Sequence, residues 1–125
     1  MNLLLDTHAL LWWLDDNPSL SKKARTSISD GMNSVFVSAA VIWEIEIKKA
    51  LGKLNIPPVF RQVLAQQSFE MLPVTVEHAY AEGDLPTYHR DPFDRMVIAQ
   101  ARVEGFTVVT RDSIFGRYKI PIIQA

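Results

Sequence analysis

Residues 91–112, DPFDRMVIAQARVEGFTVVTRD, hold a helix, its stop, a short strand and an acid at either end. Asp91 followed by Pro92 is a helix start, a capping acid with proline at the first helical position. Asp94, Val97, Ile98 and Ala101 recur at i, i+3, i+4 and i+7, so a carboxylate heads the apolar stripe of that helix. The helix is predicted to run to Glu104 and to stop at Gly105. Thr107 to Val109 then reads as a buried strand, followed by Thr110, Arg111 and Asp112.

The same alternation extends towards the N-terminus. Leu3 to Leu5 is a short apolar strand ended by Asp6, and Leu10, Leu11 and Leu14 mark a helical stretch after it. Asn17-Pro18 is a turn signal. Leu20, Ala24 and Ile28 define a second helix, with Gly31 placed as its C-cap. Val35 to Val37 is the next strand, and Ser38 is placed to cap a helix running to about Leu51 and closed by Gly52. Pro57-Pro58 restarts the chain before Phe60, Val63 and Leu64. Phe69 to Leu72 reads as a strand, Thr75 as the cap of a helix to about Glu82, and 83–90 as the longest loop. Ile120 to Ile123 is a last strand, which Pro121 confines to a sheet edge. Strands alternating with helices predict one α/β domain over residues 1–125, its mostly parallel sheet covered on both faces.

Composition agrees with a folded domain. Of 125 residues, 48% are apolar and 22% charged, with a net charge of −1. No apolar run is long enough for a membrane helix, and the N-terminal run, broken by Asp6 and His8, lacks a secretory pattern. Cysteine is absent, which excludes disulfides and thiolate metal sites and fits the cytoplasm. The balanced charge is not the signature of a dedicated nucleic-acid binder, but it leaves a nucleic-acid enzyme open.

Position selects four of the 14 acids. Ligands of parallel α/β sheets bind outside the carboxyl ends of the strands, where Asp6 and Asp112 both fall. Asp94 lies in the first turn of its helix on an inward face, where a carboxylate is costly unless paired or bound to metal. Glu44 lies early in its helix, at the margin of a stripe made by Trp43, Ile47, Ala50 and Leu51. Each acid also has an ordinary reading. Asp6 and Asp112 can cap turns, Asp94 can complement a helix dipole, and Glu44 can pair with Lys48 at i,i+4. Together, four acids at one sheet end repel one another unless a cation neutralises them, and oxygen-only ligation suits Mg²⁺ or Mn²⁺. Such a site favours attack of water on a phosphodiester.

Asp6 in LLLDTHALLWWL, Glu44 in VSAAVIWEIEIKKALGKL, Asp94 in HRDPFDRMVIAQA and Asp112 in TVVTRD resemble the acidic signature of the PIN domain. The chain is most similar to VapC-type toxins of bacterial type II toxin–antitoxin systems, from Met1 to Ala125 and in the same order. The resemblance implies a three-layer α/β/α fold and Mg²⁺- or Mn²⁺-dependent endoribonuclease activity. It also implies a homodimer and a cognate antitoxin that covers the site. Asp6 and Asp94 match the principal metal ligands of the family, and Glu44 and Asp112 the acids that complete the pocket, through water or a second metal.

Other residues are secondary. Asp91 is the rival of Asp94 for metal, but its place before Pro92 favours capping. Thr110 can orient an acid through its hydroxyl or simply bond at a strand end. Arg90, Arg95 and Arg111 flank the site and are candidates for RNA phosphate contacts. Lys48, Lys49 and Lys53 form a basic patch on one helix, suited to nucleic acid or to solubility. His8 and His89 read as structural or solvated. Trp12, Trp13 and Trp43 read as core, unless one faces a partner's helix. Two other functions are compatible with these residues. One is a phosphoryl-transfer domain with Asp6 as nucleophile, against which His8 stands where a second acid is wanted. The other is an inactive module that binds RNA or protein.

Overall fold

The computed structural model describes residues 1–125. Its five strands are β1 (Asn2–Leu5), β2 (Ser34–Ser38), β3 (Glu70–Leu72), β4 (Thr107–Thr110) and β5 (Ile122–Gln124). The helices are α1 (Thr7–Leu14), α2 (Lys22–Ser29), α3 (Ala39–Ala50), α4 (Phe60–Ala65), α5 (Val76–Gly83) and α6 (Pro92–Glu104). A 3₁₀ helix, Ser113–Tyr118, not anticipated from periodicity, joins β4 to β5.

All strand pairs are parallel, in the order β3-β2-β1-β4-β5. Successive strand side chains point to opposite faces, yet Leu3, Leu4 and Leu5 of β1 are all fully buried. Helices therefore cover both faces, giving the expected three-layer α/β/α arrangement. The core is one cluster of 27 buried residues running through both layers. β5 is an edge strand, where Pro121 costs no ladder bond inside the sheet.

The strand order also decides where a site can form. From β1 the chain moves one way to β2 and β3, then returns across the sheet to β4 on the other side of β1. Connections leave β1 and β4 in opposite directions, which opens a crevice beyond their carboxyl ends. The backbone N–H of Asp6 donates to Val109 O at 3.2 Å and closes the two strand ends side by side.

Helix boundaries follow local chemistry. Ser21, Ser38, Thr75 and Asp91 are the N-caps of α2, α3, α5 and α6, each accepting a backbone N–H through its side chain. Gly52 and Gly105 sit at φ +72° and +74°, the left-handed conformation that stops a helix and that a Cβ disfavours. One expected cap differs: Asp30, not Gly31, ends α2, and its carboxylate accepts Met32 N–H.

A substitution pair isolates the backbone effect, because nothing lies within 4 Å of a Cβ built on either Gly31 or Gly105. Gly105→Ala is expected to lose about 1 kcal/mol in urea unfolding, whereas Gly31→Ala stays within about 0.5 kcal/mol of the parent. Equal losses would contradict a conformational cause.

Candidate active site

Asp6, Glu44, Asp94 and Asp112 line one cavity of about 440 Å³ at the β1/β4 crevice, together with Thr7, His8, Trp12, Lys48, Asp91 and Arg111. The fold thus brings together residues from opposite ends of the chain, Asp6 and Asp112 among them.

Two of the acids are built in as caps. Asp6 caps α1, its Oδ1 accepting Ala9 N–H at 2.9 Å, and Asp112 caps the 3₁₀ helix, its Oδ1 accepting Ile114 N–H at 2.9 Å. In each case Oδ2 takes no backbone bond and remains for another partner. Capping and site membership are therefore not alternatives; one carboxylate does both. Asp91 caps α6 through Oδ1, which accepts Phe93 N–H at 2.8 Å and Asp94 N–H at 3.2 Å, and it also lines the cavity. Thr110 makes a local strand-end bond, accepting Asp112 N–H at 3.1 Å.

Glu44 departs from the expected face. The buried residues of α3 are Ala40, Val41, Glu44 and Ile45, whereas Trp43 and Leu51 are each 64% exposed. The helix is apolar nearly all round, so periodicity could not choose between its faces. Glu44 occupies the inner one because partners await it there. Its Oε1 accepts from the Thr7 hydroxyl at 2.5 Å, and its Oε2 accepts from Lys48 Nζ at 2.5 Å. The i,i+4 pair exists, but inside the cavity rather than on the surface. The bond to Glu44 raises the Lys48 ammonium above its ordinary pKa.

The electrostatics report the crowding. Burial pushes the Asp6 carboxyl up, while hydrogen bonds from Thr110 and Ala9 act in the opposite sense and Asp112 adds to the rise. Asp94 is moved from 3.8 to about 7, chiefly by burial and then by the neighbouring charge of Asp91. His89 opposes that rise, and Glu44 and Asp6 add to it.

His89 is the residue that sequence reasoning left out. Its Nε2 lies 2.8 Å from Asp112 Oδ2 and 3.1 Å from Asp94 Oδ2, bridging the cap of the 3₁₀ helix and an acid of α6. Asp91 N–H donates to its Nδ1 at 3.2 Å, which leaves the ring proton on Nε2, facing the carboxylates. His89 N–H donates to Tyr118 Oη at 2.7 Å, and the Tyr118 hydroxyl donates to Pro86 O at 2.7 Å. The available signal was local: a histidine two residues before a capping acid is placed to receive that acid's backbone N–H. His8, also set aside, lines the cavity beside Trp12, with ring centroids 5.7 Å apart.

The three arginines separate. Arg95 braces the loop that precedes α6. Its Nε donates to Glu82 at 2.7 Å, and its other nitrogens donate to the carbonyls of Glu82, Leu85, Pro86 and His89. A fork of donors suits the carbonyl-rich underside of a loop, and so the side chain turns inward. Arg111 lines the cavity with its guanidinium 4.4 Å from the Trp12 ring centre, while it donates to Ser19 O and Ala125 O. Arg90 is exposed, with no hydrogen bond to its side chain. The lysine patch divides likewise: Lys48 enters the cavity, Lys49 pairs with Glu46 at 3.9 Å, and Lys53 lies beyond the end of α3.

Trp12 and Trp13 are half-buried, and Trp13 Nε1–H donates to Gln67 Oε1 at 3.0 Å. Trp43 stands on the surface, edge-on to Phe93. A separate apolar groove of about 290 Å³ is lined by Leu11, Trp12, Leu14, Leu54, Ile56 and Phe60, among others. Trp12 is common to that groove and to the acidic cavity.

Fold and cavity define a class: a parallel α/β protein that gathers carboxylates at the switch point of its sheet. The chain belongs to the PIN domain family, whose model matches residues 3–121. Its fold is similar to VapBC2 from Rickettsia felis, solved bound to a promoter DNA fragment, at TM-score 0.73 and 17% identity over 98% of both chains. It is similar also to a DNA-bound VapBC from Salmonella typhimurium, at TM-score 0.70 and 19% identity over 98% of this chain and 97% of that one. FitAcB from Neisseria gonorrhoeae matches at TM-score 0.63 and 22% identity, over 98% and 96% of the two chains. No curated protein sequence matches significantly.

The raised Asp94 carboxyl sets a sign for stability. Its folded pKa lies above the unfolded one, so its contribution is complete below pH 3.8 and is lost as the pH rises towards about 7. In chelator, Asp94→Asn should therefore be more stable than the parent above neutral pH. The gain is about 1–2 kcal/mol, well below the full shift because the carboxyl is partly solvated. The difference should shrink as the pH falls towards the ordinary carboxylate range. A gap independent of pH in urea unfolding would contradict the assignment.

Proposed function

We propose that this chain is a divalent-metal-dependent endoribonuclease of the VapC type, the toxin of a type II toxin–antitoxin pair, acting as a single domain in the cytoplasm. The observation that carries this reading is the convergence of Asp6, Glu44, Asp94 and Asp112 on one cavity at the switch point of a PIN fold.

The donor set fits a hard cation. The oxygens of Asp6 and Asp112 left over from capping, together with Asp94, would hold Mg²⁺ or Mn²⁺, and Glu44 completes the pocket. His89 and oxygens of Asp94 and Asp112 lie within 4.8 Å of one another, and with its ring proton on Nε2 the histidine hydrogen-bonds those oxygens rather than ligating an ion itself. A bound ion of this kind supplies charge stabilisation to the phosphate and a more acidic water. The chain's own contribution is to position. The caps fix Asp6 and Asp112 to the backbone, α6 holds Asp94, and Arg90 and Arg111 remain beside the cavity for RNA phosphates. Thr110 and Asp91 support the acids from behind. A phosphoryl-transfer role for Asp6 is less consistent, because Oδ1 is engaged as a cap and His8 stands two residues on.

The partners follow from the surface. The groove beside Trp12 fits an apolar antitoxin segment, and an occupant there abuts the acids because Trp12 belongs to both walls. The exposed apolar strip of Trp43, Val74, Val76 and Tyr80 suits a second copy in a homodimer. The structural relatives come from VapBC and FitAB complexes, which supports a toxin of this kind. No helix is long and apolar enough to cross a membrane.

RNA cleavage is expected with Mg²⁺ or Mn²⁺ and should cease in EDTA. Asp6→Asn and Asp94→Asn should each lower the rate by about a hundredfold or more while the fold is kept, since asparagine has nearly the shape of aspartate and at position 6 retains a capping oxygen. Undiminished cleavage by the double variant in a gel assay would refute the metal-nuclease reading.

A further inference from the structure

Around the acidic cavity, where His8 also lies, three hydrogen-bonded side chains can offset the carboxylates, and they differ in how firmly they are held. Arg111 is tied to two backbone carbonyls and lies against Trp12. His89 is fixed at both ring nitrogens, by Asp91 N–H on one side and by two carboxylates on the other. Lys48 has one partner only, Glu44 Oε2, and its side chain is 36% exposed at the cavity mouth. Its four-carbon stem can swing without any movement of the backbone. Glu44, by contrast, is 95% hidden at the side chain and cannot leave. A buried carboxylate needs a cation, and Lys48 is the one that can be exchanged.

We propose that Lys48 is an exchangeable counter-ion of the site: it neutralises Glu44 until a divalent cation binds, then releases it and holds a non-bridging oxygen of the substrate phosphodiester. This rests on the nuclease reading and extends it to the regulation of the same site. The two duties are linked by charge. While the ammonium sits on Glu44 it competes with the metal, and once displaced it is a mobile cation at the cavity mouth, available to a phosphate drawn to that metal. No group changes protonation in this exchange; the ammonium trades one anionic oxygen for another.

The test uses the full-length chain, with Mn²⁺ titrated by calorimetry and single-stranded RNA cleaved at saturating Mn²⁺. Lys48→Met and Lys48→Gln should bind Mn²⁺ about tenfold more tightly than the parent, because a competing charge is gone. The same variants should show KM for RNA raised about tenfold with kcat little changed, the pattern of a lost binding contact. Lys48→Arg, which keeps the charge, should return both values towards the parent. A merely structural Glu44–Lys48 pair would lower the melting temperature of Lys48→Met and leave Mn²⁺ affinity and KM where they were. That result, or weaker Mn²⁺ binding, overturns the proposal while the nuclease reading stands. A parent protein that takes up no Mn²⁺ and cleaves no RNA overturns both.

Discussion

Mutual repulsion among carboxylates at one end of a small sheet is the constraint to which the rest of this structure answers. Gathering Asp6, Glu44, Asp91, Asp94 and Asp112 around a single cavity opposes folding unless each charge is met. The chain meets them with several devices at once. Helix starts absorb three of the acids as caps, where the backbone N–H groups and the helix dipole favour an anion. Lys48 takes Glu44, and the His89 ring divides itself between Asp94 and Asp112. What is left over is the raised Asp94 carboxyl, the residual stress of an acid that caps nothing.

His89 can serve this way only because its loop is held, and the holding comes from outside the cavity. Arg95 collects carbonyls from four loop and helix-end residues and pairs with Glu82, which fastens 82–89 to the first turns of α6. Tyr118 secures the same loop from the 3₁₀ side through His89 N–H and Pro86 O. Arg95 and Tyr118 thus act on the acids indirectly, by setting the position of one imidazole. The loop between α5 and α6, expected to be the longest, is one residue shorter than the 51–59 connection between α3 and α4, and it is firmly anchored.

Much of this was readable in the amino-acid sequence, for identifiable reasons. Proline after Asp91, glycine after Glu104 and a β-branched run at Thr107 each have one strong local meaning, so α6 and β4 were found nearly to the residue. Asp6 and Asp112 were conspicuous because a strand end in a parallel sheet is a special place. Strand order, by contrast, depends on pairing between distant segments, and no local pattern carried it. The inner face of α3 was misread because the helix carries apolar residues nearly all round, and Trp43 and Leu51 of the expected stripe are exposed. The hydrogen bonds of His89 and Arg95 could not be read from the sequence, for a shared reason. Their roles lie in hydrogen bonds to backbone groups of a loop, and the path of a loop is the least legible part of a sequence.

The double duty of Asp6 and Asp112 bears on how such a protein changes over time. Each would still be favoured as a helix cap in a lineage that had ceased to cut anything, since replacing a cap costs about 1 kcal/mol whether or not chemistry occurs. Their persistence in a related chain would therefore say little about activity. Glu44 has no such insurance: it caps nothing, lies within the protein and depends on a cation. Under the nuclease function proposed above, it is the position at which drift away from catalysis would first become visible, as a neutral or apolar residue relieving a charge that no longer serves.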